Sequence, residues 1–229
     1  SYSSAGAERW ARSKNGPGNS SDEAYAVVVD GNGNSYVTGQ SWNGANQDYL
    51  TVSYDSSGNE RWSRVKNGSA NSHDKALALV VDSAGNVYVS GHSSNGSNYD
   101  FLTVSYDSLG NERWARVKNG AANRDDYVYA IAIDGSQNVF VTGSSRNTAN
   151  ADYFTVSYDS AGTERWARVR NGAANSTDEP LDIAVDASGN AFVTGYSSNG
   201  SNYDFLTVSY DGSGTERWAR VKNGSGNGA

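Results

Sequence analysis

Short apolar runs recur along the chain between clusters of Gly, Asn, Asp and Ser. The clearest is Lys75–Asp82, KALALVVD. Leu77, Leu79 and Val81 alternate with Ala76, Ala78 and Val80, so both faces are apolar and the run predicts a strand buried on both sides. Its counterparts are Ala24–Asp30, Val128–Asp134 and Leu181–Asp186. Three further strands follow in each case: a second at Asn86–His92, a third at Tyr99–Tyr106, and a fourth at Glu112–Lys118, which repeats Glu60–Lys66. The first strand joins the second through Asp82-Ser-Ala-Gly-Asn86, and the third joins the fourth through Asp107-Ser-Leu-Gly-Asn111. In such a turn the Asp bonds backbone two residues on and the Gly takes the positive φ that closes a hairpin. The other two connections are longer, of the SSNGSN and NGSANSHD type.

The pattern has a fixed period. Trp10, Trp62, Trp114, Trp166 and Trp218 each sit in E-R-W-[AS]-R, 52 residues apart, and 35 of 52 positions are identical between Ser53–Val104 and Ser157–Val208. Four antiparallel strands repeated at such a period are the pattern of a β-propeller blade, which buries both faces only by stacking on its neighbours. The expected fold is all-β: a single repeat domain over 1–229, with four-stranded antiparallel blades at about 24–66, 76–118, 128–170 and 180–222 and an extra N-terminal outer-strand segment at 1–21. The outer-strand Trp is expected to fill the gap between blades. Glu60, Trp62 and Arg64 share a face by two-residue alternation, so the Glu and Arg are expected to tie neighbouring blades by a charge-assisted bond. Ser1–Ser21 matches Ser209–Ala229, so both ends carry the same outer strand. Three arrangements satisfy this: a part of a longer propeller, two or more chains in one ring, or four blades closed with one terminus displaced. The first two are favoured, with self-association through unclosed blade ends, because an exposed sheet edge and an uncovered blade face drive association.

At this point the residues carry a resemblance. V-D-S-A-G-N-V-Y-V-S-G at Val81–Gly91, V-D-G-N-G-N-S-Y-V-T-G at Val29–Gly39 and D-E-A-Y-A-V-V-V-D at Asp22–Asp30 resemble the bacterial SBBP repeat, the "seven-bladed β-propeller" repeat. The resemblance implies a propeller fold and a secreted or cell-surface bacterial protein, and it implies no reaction. The outer strand with its Trp is also distantly similar to the quinoprotein propeller repeat, whose vicinal cysteines are absent here.

Composition narrows the chemistry. There is no cysteine, which excludes disulfides, thiolate metal sites and cysteine nucleophiles. There is no methionine and the first residue falls in mid-repeat, as expected for a mature product or an excised fragment. The net charge of −7, with basic residues scattered singly, disfavours nucleic acid. No apolar stretch approaches the length of a membrane-spanning helix, so no membrane insertion is expected. Aromatics at 11% and regular β-branched runs argue against disorder.

Differences between the copies gather in the two longer connections, which leave the same end of each blade. Loops on a rigid scaffold carry function. The candidate ligand-binding residues on this face are Trp42, Asn43, Gln47, His92, Asn95, Tyr99, Arg146, Tyr196, Asn199 and Tyr203. Aromatic rings and amides together suit a glycan, and equally a protein surface. The recurrent Asp22, Asp74, Asp126 and Asp178, and Asp48, Asp100, Asp152 and Asp204, are expected to fix loops by bonding backbone amides. His73 and His92 occur once each and read as surface substitutions. No nucleophile elbow, zincin motif or phosphate loop is present, so neither catalysis nor a cofactor is expected. Asp30, Asn32 and Asn34 have the alternating oxygens of a hard-cation loop, although a β-turn accounts for them better.

Overall fold

The computed structural model describes residues 1–224; the last five residues of the Ser209–Ala229 match lie outside the described residues. Sixteen strands form four separate antiparallel sheets, each in sequential strand order. The first sheet holds β1 (Asp22–Val29), β2 (Ser35–Trp42), β3 (Gln47–Tyr54) and β4 (Glu60–Lys66). The second holds β5 (Asp74–Val81), β6 (Val87–Ser94), β7 (Tyr99–Tyr106) and β8 (Glu112–Lys118). The third holds β9 (Asp126–Ile133), β10 (Val139–Arg146), β11 (Ala151–Tyr158) and β12 (Glu164–Arg170). The fourth holds β13 (Asp178–Val185), β14 (Ala191–Ser198), β15 (Tyr203–Tyr210) and β16 (Glu216–Lys222). These are four propeller blades. They pack in sequence, first strand beside first strand, and do not close into a ring.

The turns form as the sequence implies. Asp82 Oδ1 accepts from the Ala84 and Asn86 amides, Asp82 Oδ2 accepts from the Asn86 side chain, and Gly85 takes φ 81°. Gln137 adopts φ 64° where the third blade lacks the glycine. Asp30, Asn32 and Asn34 take the same turn geometry, the β-turn that accounts for them better. Four N–H or O–H donors (the Asn32 and Asn34 amides, Asn34 Nδ2 and Tyr36 Oη) point at the Asp30 carboxylate, where a cation would need oxygen lone pairs.

The first strand departs from simple alternation. In β5 the pairing to β6 slips between Ala76 and Ala78, so Leu77 is an extra residue opposite no partner. Ala76 therefore joins Leu79 and Val81 on the face toward the first blade, while Ala78 and Val80 face the third. The same slip recurs in β1 and β13, and in β9 the pairing to β10 shifts at the equivalent place. Three core clusters fill the three junctions between blades.

The outer-strand tryptophan closes each junction from outside. Trp62 is buried, its ring 6.0 Å from Tyr36 in its own blade and 5.9 Å from Tyr106 in the next. Gly110 lies beneath it with φ 80°, and a Cβ there would stand 2.7 Å from the indole. The expected tie between neighbouring blades forms, with Glu60 and Arg64 each reaching its own partner. Arg64 Nε donates to the Gly110 carbonyl at 2.6 Å, and Glu60 is held by Lys14 at 2.9 Å. The ionic link between blades runs from the last basic residue of one outer strand to the Glu that opens the next: Lys66–Glu112, Lys118–Glu164 and Arg170–Glu216.

Candidate functional site

The longer connections share one end of the blades, and much of their side chain hydrogen bonding is internal. Asn43 donates to Asn46 Oδ1 and Asp48 Oδ2 and accepts from the Ala45 and Asn46 amides. Asn95 and Asn199 repeat that pattern in their own loops. These three candidate residues are thus committed to the turn. Asp74 accepts from the Gly68 amide at 2.5 Å, and Asp22 and Asp126 accept from Gly16 and Gly120. The recurrent aspartates accordingly fix the loops. Trp42 ends β2, half-buried, with its carbonyl taken by the Gly18 amide. Arg146 is exposed at the end of β10.

The remaining candidates come together in two places. Gln47, His92 and Tyr99 line a cavity of about 270 Å³ across the first and second blades, with Gln40, His73, Asp74 and Lys75 completing its wall. Both histidines are therefore at one site. The register explains it: Lys75 pairs directly with His92 across β5 and β6, and His73 precedes that pair at the loop. The His92 ring stands edge-on to Tyr99 at 5.2 Å and to Tyr127 of the third blade at 5.0 Å. Burial pushes the His92 imidazole down to about 4, and the Lys75 ammonium adds to this while Asp125 partly opposes it. Lys75 itself lies over the Tyr25 ring, its Nζ 4.3 Å from the centroid. Asp74 is raised, first by burial.

The second place spans the third and fourth blades. Tyr196 Oη donates to Glu179 at 2.6 Å, Tyr129 Oη reaches the same carboxylate at 3.3 Å, and Tyr203 stands edge-on to Tyr196 at 4.9 Å. Tyr203 is the open member of this group, 63% exposed. Lys75 and Tyr129 are absent from the sequence-derived candidates because they sit in runs that read as buried first strands, and Tyr127 and Glu179 because they fall just ahead of the expected strand starts, inside β9 and β13. Their signal was the variation between copies at these two strand positions: Glu23, Lys75, Tyr127 and Glu179 at one, Tyr25, Leu77, Tyr129 and Leu181 at the other.

Chemically, the 270 Å³ cavity offers two amides, two imidazoles, a phenol and one ammonium at a rigid strand end, beside the buried Asp74 carboxylate. That volume lies just below the range of about 300–1,000 Å³ found for drug-sized ligands. It is a place for one small polar ring or group.

The β-propeller repeat model SBBP matches residues 16–44, 120–148 and 171–204, in each case the loop before a first strand and the first two strands of that blade. No curated protein sequence matches the chain. Among solved structures, the chain is similar to the periplasmic gluconolactonase of Pseudomonas aeruginosa, with 11% identity, a TM-score of 0.57, and coverage of 98% of this chain and 64% of that one. A eukaryotic initiation factor matches at 7% identity and a TM-score of 0.47, covering 87% of this chain and 55% of that one. A putative exo-β-1,3-galactanase from Bifidobacterium bifidum matches at 10% identity and a TM-score of 0.47, covering 86% and 70%. The chain thus spans less than two thirds of the length of the first two, and at these identities the likeness is one of fold.

Proposed function

We propose that this SBBP-type β-propeller repeat protein is a non-enzymatic binding module, extracellular or on a bacterial cell surface, that takes a glycan on its long-loop face. The observation that carries the reading is the cavity walled by Gln40, Gln47, His73, Lys75, His92 and Tyr99. Amides bond sugar hydroxyls in both directions, the phenol and imidazole faces suit a pyranose ring, and a single ammonium favours an acidic sugar. Binding fits the site better than turnover. The cavity's carboxylate, Asp74, is buried with Oδ2 bonded to the Gly68 amide, and the His92 ring is packed edge-on between Tyr99 and Tyr127, so both serve the wall rather than project toward a bound group.

The test is a glycan array carrying neutral and acidic sugars, run with the wild type, Tyr99→Ala and Lys75→Ala, and with Trp42→Ala outside the cavity as control. Wild type and Trp42→Ala are expected to bind alike, with at least tenfold loss in the two cavity variants. Absence of binding on every sugar class sinks the glycan reading, and full retention in Tyr99→Ala removes it from this cavity.

A further inference from the structure

The two outermost blades of the described row present complementary surfaces, one open at Phe205 and one only partly covered. At each internal junction the same apolar set is buried. Tyr36 and Tyr49 of the first blade cover Leu79, Val89, Leu102 and Val104 of the second, and Tyr88 and Phe101 do the same for the third. In the first blade the equivalent residues, Val27, Val37, Leu50 and Val52, line a groove of about 600 Å³, where Leu50 and Val52 are buried with Trp10 packed against them and Val27 is left open. Val27 is 67% exposed, whereas its counterpart Leu79 is 8% exposed. At the far end Phe205 is 70% exposed, whereas Phe101 and Tyr153 at the same position are each 1% exposed.

We propose that a second copy of this chain seats the Phe205 face of its fourth blade in the groove of the first. Three internal junctions already show how this contact is made. Phe101 meets Phe154 with ring centroids 5.1 Å apart, and Leu50 holds the position of Phe154 in the groove. Charge agrees. The link from a basic outer-strand residue to the next Glu runs Lys14–Glu60, Lys66–Glu112, Lys118–Glu164 and Arg170–Glu216. Lys222 is the next cation in that series.

The groove has a placeholder. Residues 8–14, ERWARSK, reproduce ERWARVK of β16 and lie where the outer strand of a preceding blade would lie. Trp10 Nε1 donates to the Ser56 carbonyl at 3.2 Å, and Lys14 holds Glu60. Apart from the Tyr2–Glu8 bridge the segment pairs with no strand. The incoming β16 keeps its full pairing to β15 and supplies the same indole and the same cation, with Val221 in place of Ser13. Exchange therefore supplies again the indole and the cation that the placeholder gives up and adds cover for Phe205 and Val27. One residue opposes it: Asp182 stands where Ala26, Ala78 and Ala130 face the next blade, and burying an unpaired carboxylate there is costly. A head-to-tail contact of this kind closes into a ring or runs on as a filament, according to its rotation.

Sedimentation over a hundredfold concentration range tests the proposal, with circular dichroism confirming the fold of each variant. The full chain is expected to gain mass with concentration. Deleting residues 1–14 is expected to lower the midpoint at least tenfold, Asp182→Ala to lower it further, and Phe205→Asp to abolish association. Phe205 is open to solvent in the single chain, so its replacement leaves the blade's own packing intact. A monomer at all concentrations with and without residues 1–14, or association untouched by Phe205→Asp, overturns the proposal. Association promoted by deleting β16 rather than residues 1–14 overturns the strand assignment.

Discussion

The indole of Trp62 donates its Nε1–H to the carbonyl of Ser108 at 3.1 Å, 46 residues along the chain and in the next blade. Trp114 does the same to Ser160 and Trp166 to Gly212. Each indole thus spans a junction with both its ring and its polar tip. Trp114→Ala is expected to cost about 3–5 kcal/mol, the range for a buried aromatic truncation. Among the described residues Trp218 meets no ring of a next blade and packs at a tilt on Phe192 of its own, centroids 6.0 Å apart. Trp218→Ala is expected to cost only about 1 kcal/mol, of the order of one aromatic pair. Urea unfolding of both variants checks the contrast, and equal losses would show that the Trp works within its own blade.

Gly110 combines two demands, a left-handed φ of 80° and the flat of Trp62 close above it. An alanine pays about 1–2 kcal/mol for the backbone alone, and its methyl must push the indole aside. Gly110→Ala is expected to lose at least about 2 kcal/mol in total, with Trp fluorescence shifted to the red. Gly31 has neither constraint, so Gly31→Ala is expected to gain about 0.4–1 kcal/mol through the unfolded chain. Gln137→Gly relieves the one non-glycine at the turn position and should raise stability by less than about 1 kcal/mol, because glycine's own entropy offsets part of the relief. Thermal melts rank the three, and an unchanged Gly110→Ala melt would mean that the turn gives way freely.

Most of the fold was legible because the period is strict and the turns are chemically explicit. The third and fourth strands of the second blade fall at Tyr99–Tyr106 and Glu112–Lys118, as the alternation and the D-x-x-G turns imply. What the pattern hid was the slip in the first strand. Counted back from the turn that sets Val81 opposite Val87, an unbroken ladder puts Lys75 opposite Ser93; the bulge at Leu77 puts it opposite His92. That one residue moves the charged and aromatic side chains of the site into contact, and an apolar run such as KALALVVD gives no warning of it. The loop asparagines misled for a related reason. Asn43, Asn95 and Asn199 carry the chemistry of ligand contacts and also that of Asx turns, and only the bonded geometry separates the two. The outer-strand Glu and Arg read as ties between blades, but their partners, the Lys one blade back for each Glu and a turn carbonyl one blade on for each Arg, are visible only once the blades are stacked.

Asp126 opens β9 fully buried, and its carboxyl is pushed up to about 6, first by burial, with Asp100 and Asp125 adding to the rise. In the unfolded chain an aspartate titrates near 3.9. Between those values the folded state binds more protons, so this group's contribution is fully present below about pH 4 and is lost as pH rises through about 6. Asp126→Asn keeps an acceptor for the Gly120 amide without the charge. The wild type minus Asp126→Asn stability difference is expected to fall between pH 4 and 6 and to level off above. The turn aspartates Asp107 and Asp159, held low by their amide and side-chain donors, cancel in this difference. A flat difference curve would mean that water reaches the Asp126 carboxylate.

His92 runs the other way. Its imidazole is pushed down to about 4 by burial between two tyrosines and by the nearby Lys75 ammonium, against about 6.5 in the unfolded chain. The neutral ring is the folded form, so its contribution is present above pH 6.5 and is lost as pH falls through about 4. Imidazole proton shifts followed by NMR are expected to show His92 titrating near 4. Lys75→Ala should raise that midpoint, because one of its two causes is removed, yet leave it below 6.5, because burial remains. A ligand that carries a carboxylate to Lys75 should raise it as well, by setting a negative charge beside the ring. This gives the glycan reading a second readout: an acidic sugar that binds elsewhere leaves His92 at its free value. Should His92 in the free protein titrate near 6.5, the ring stands in water, and the cavity wall assigned to it belongs to a solvated loop.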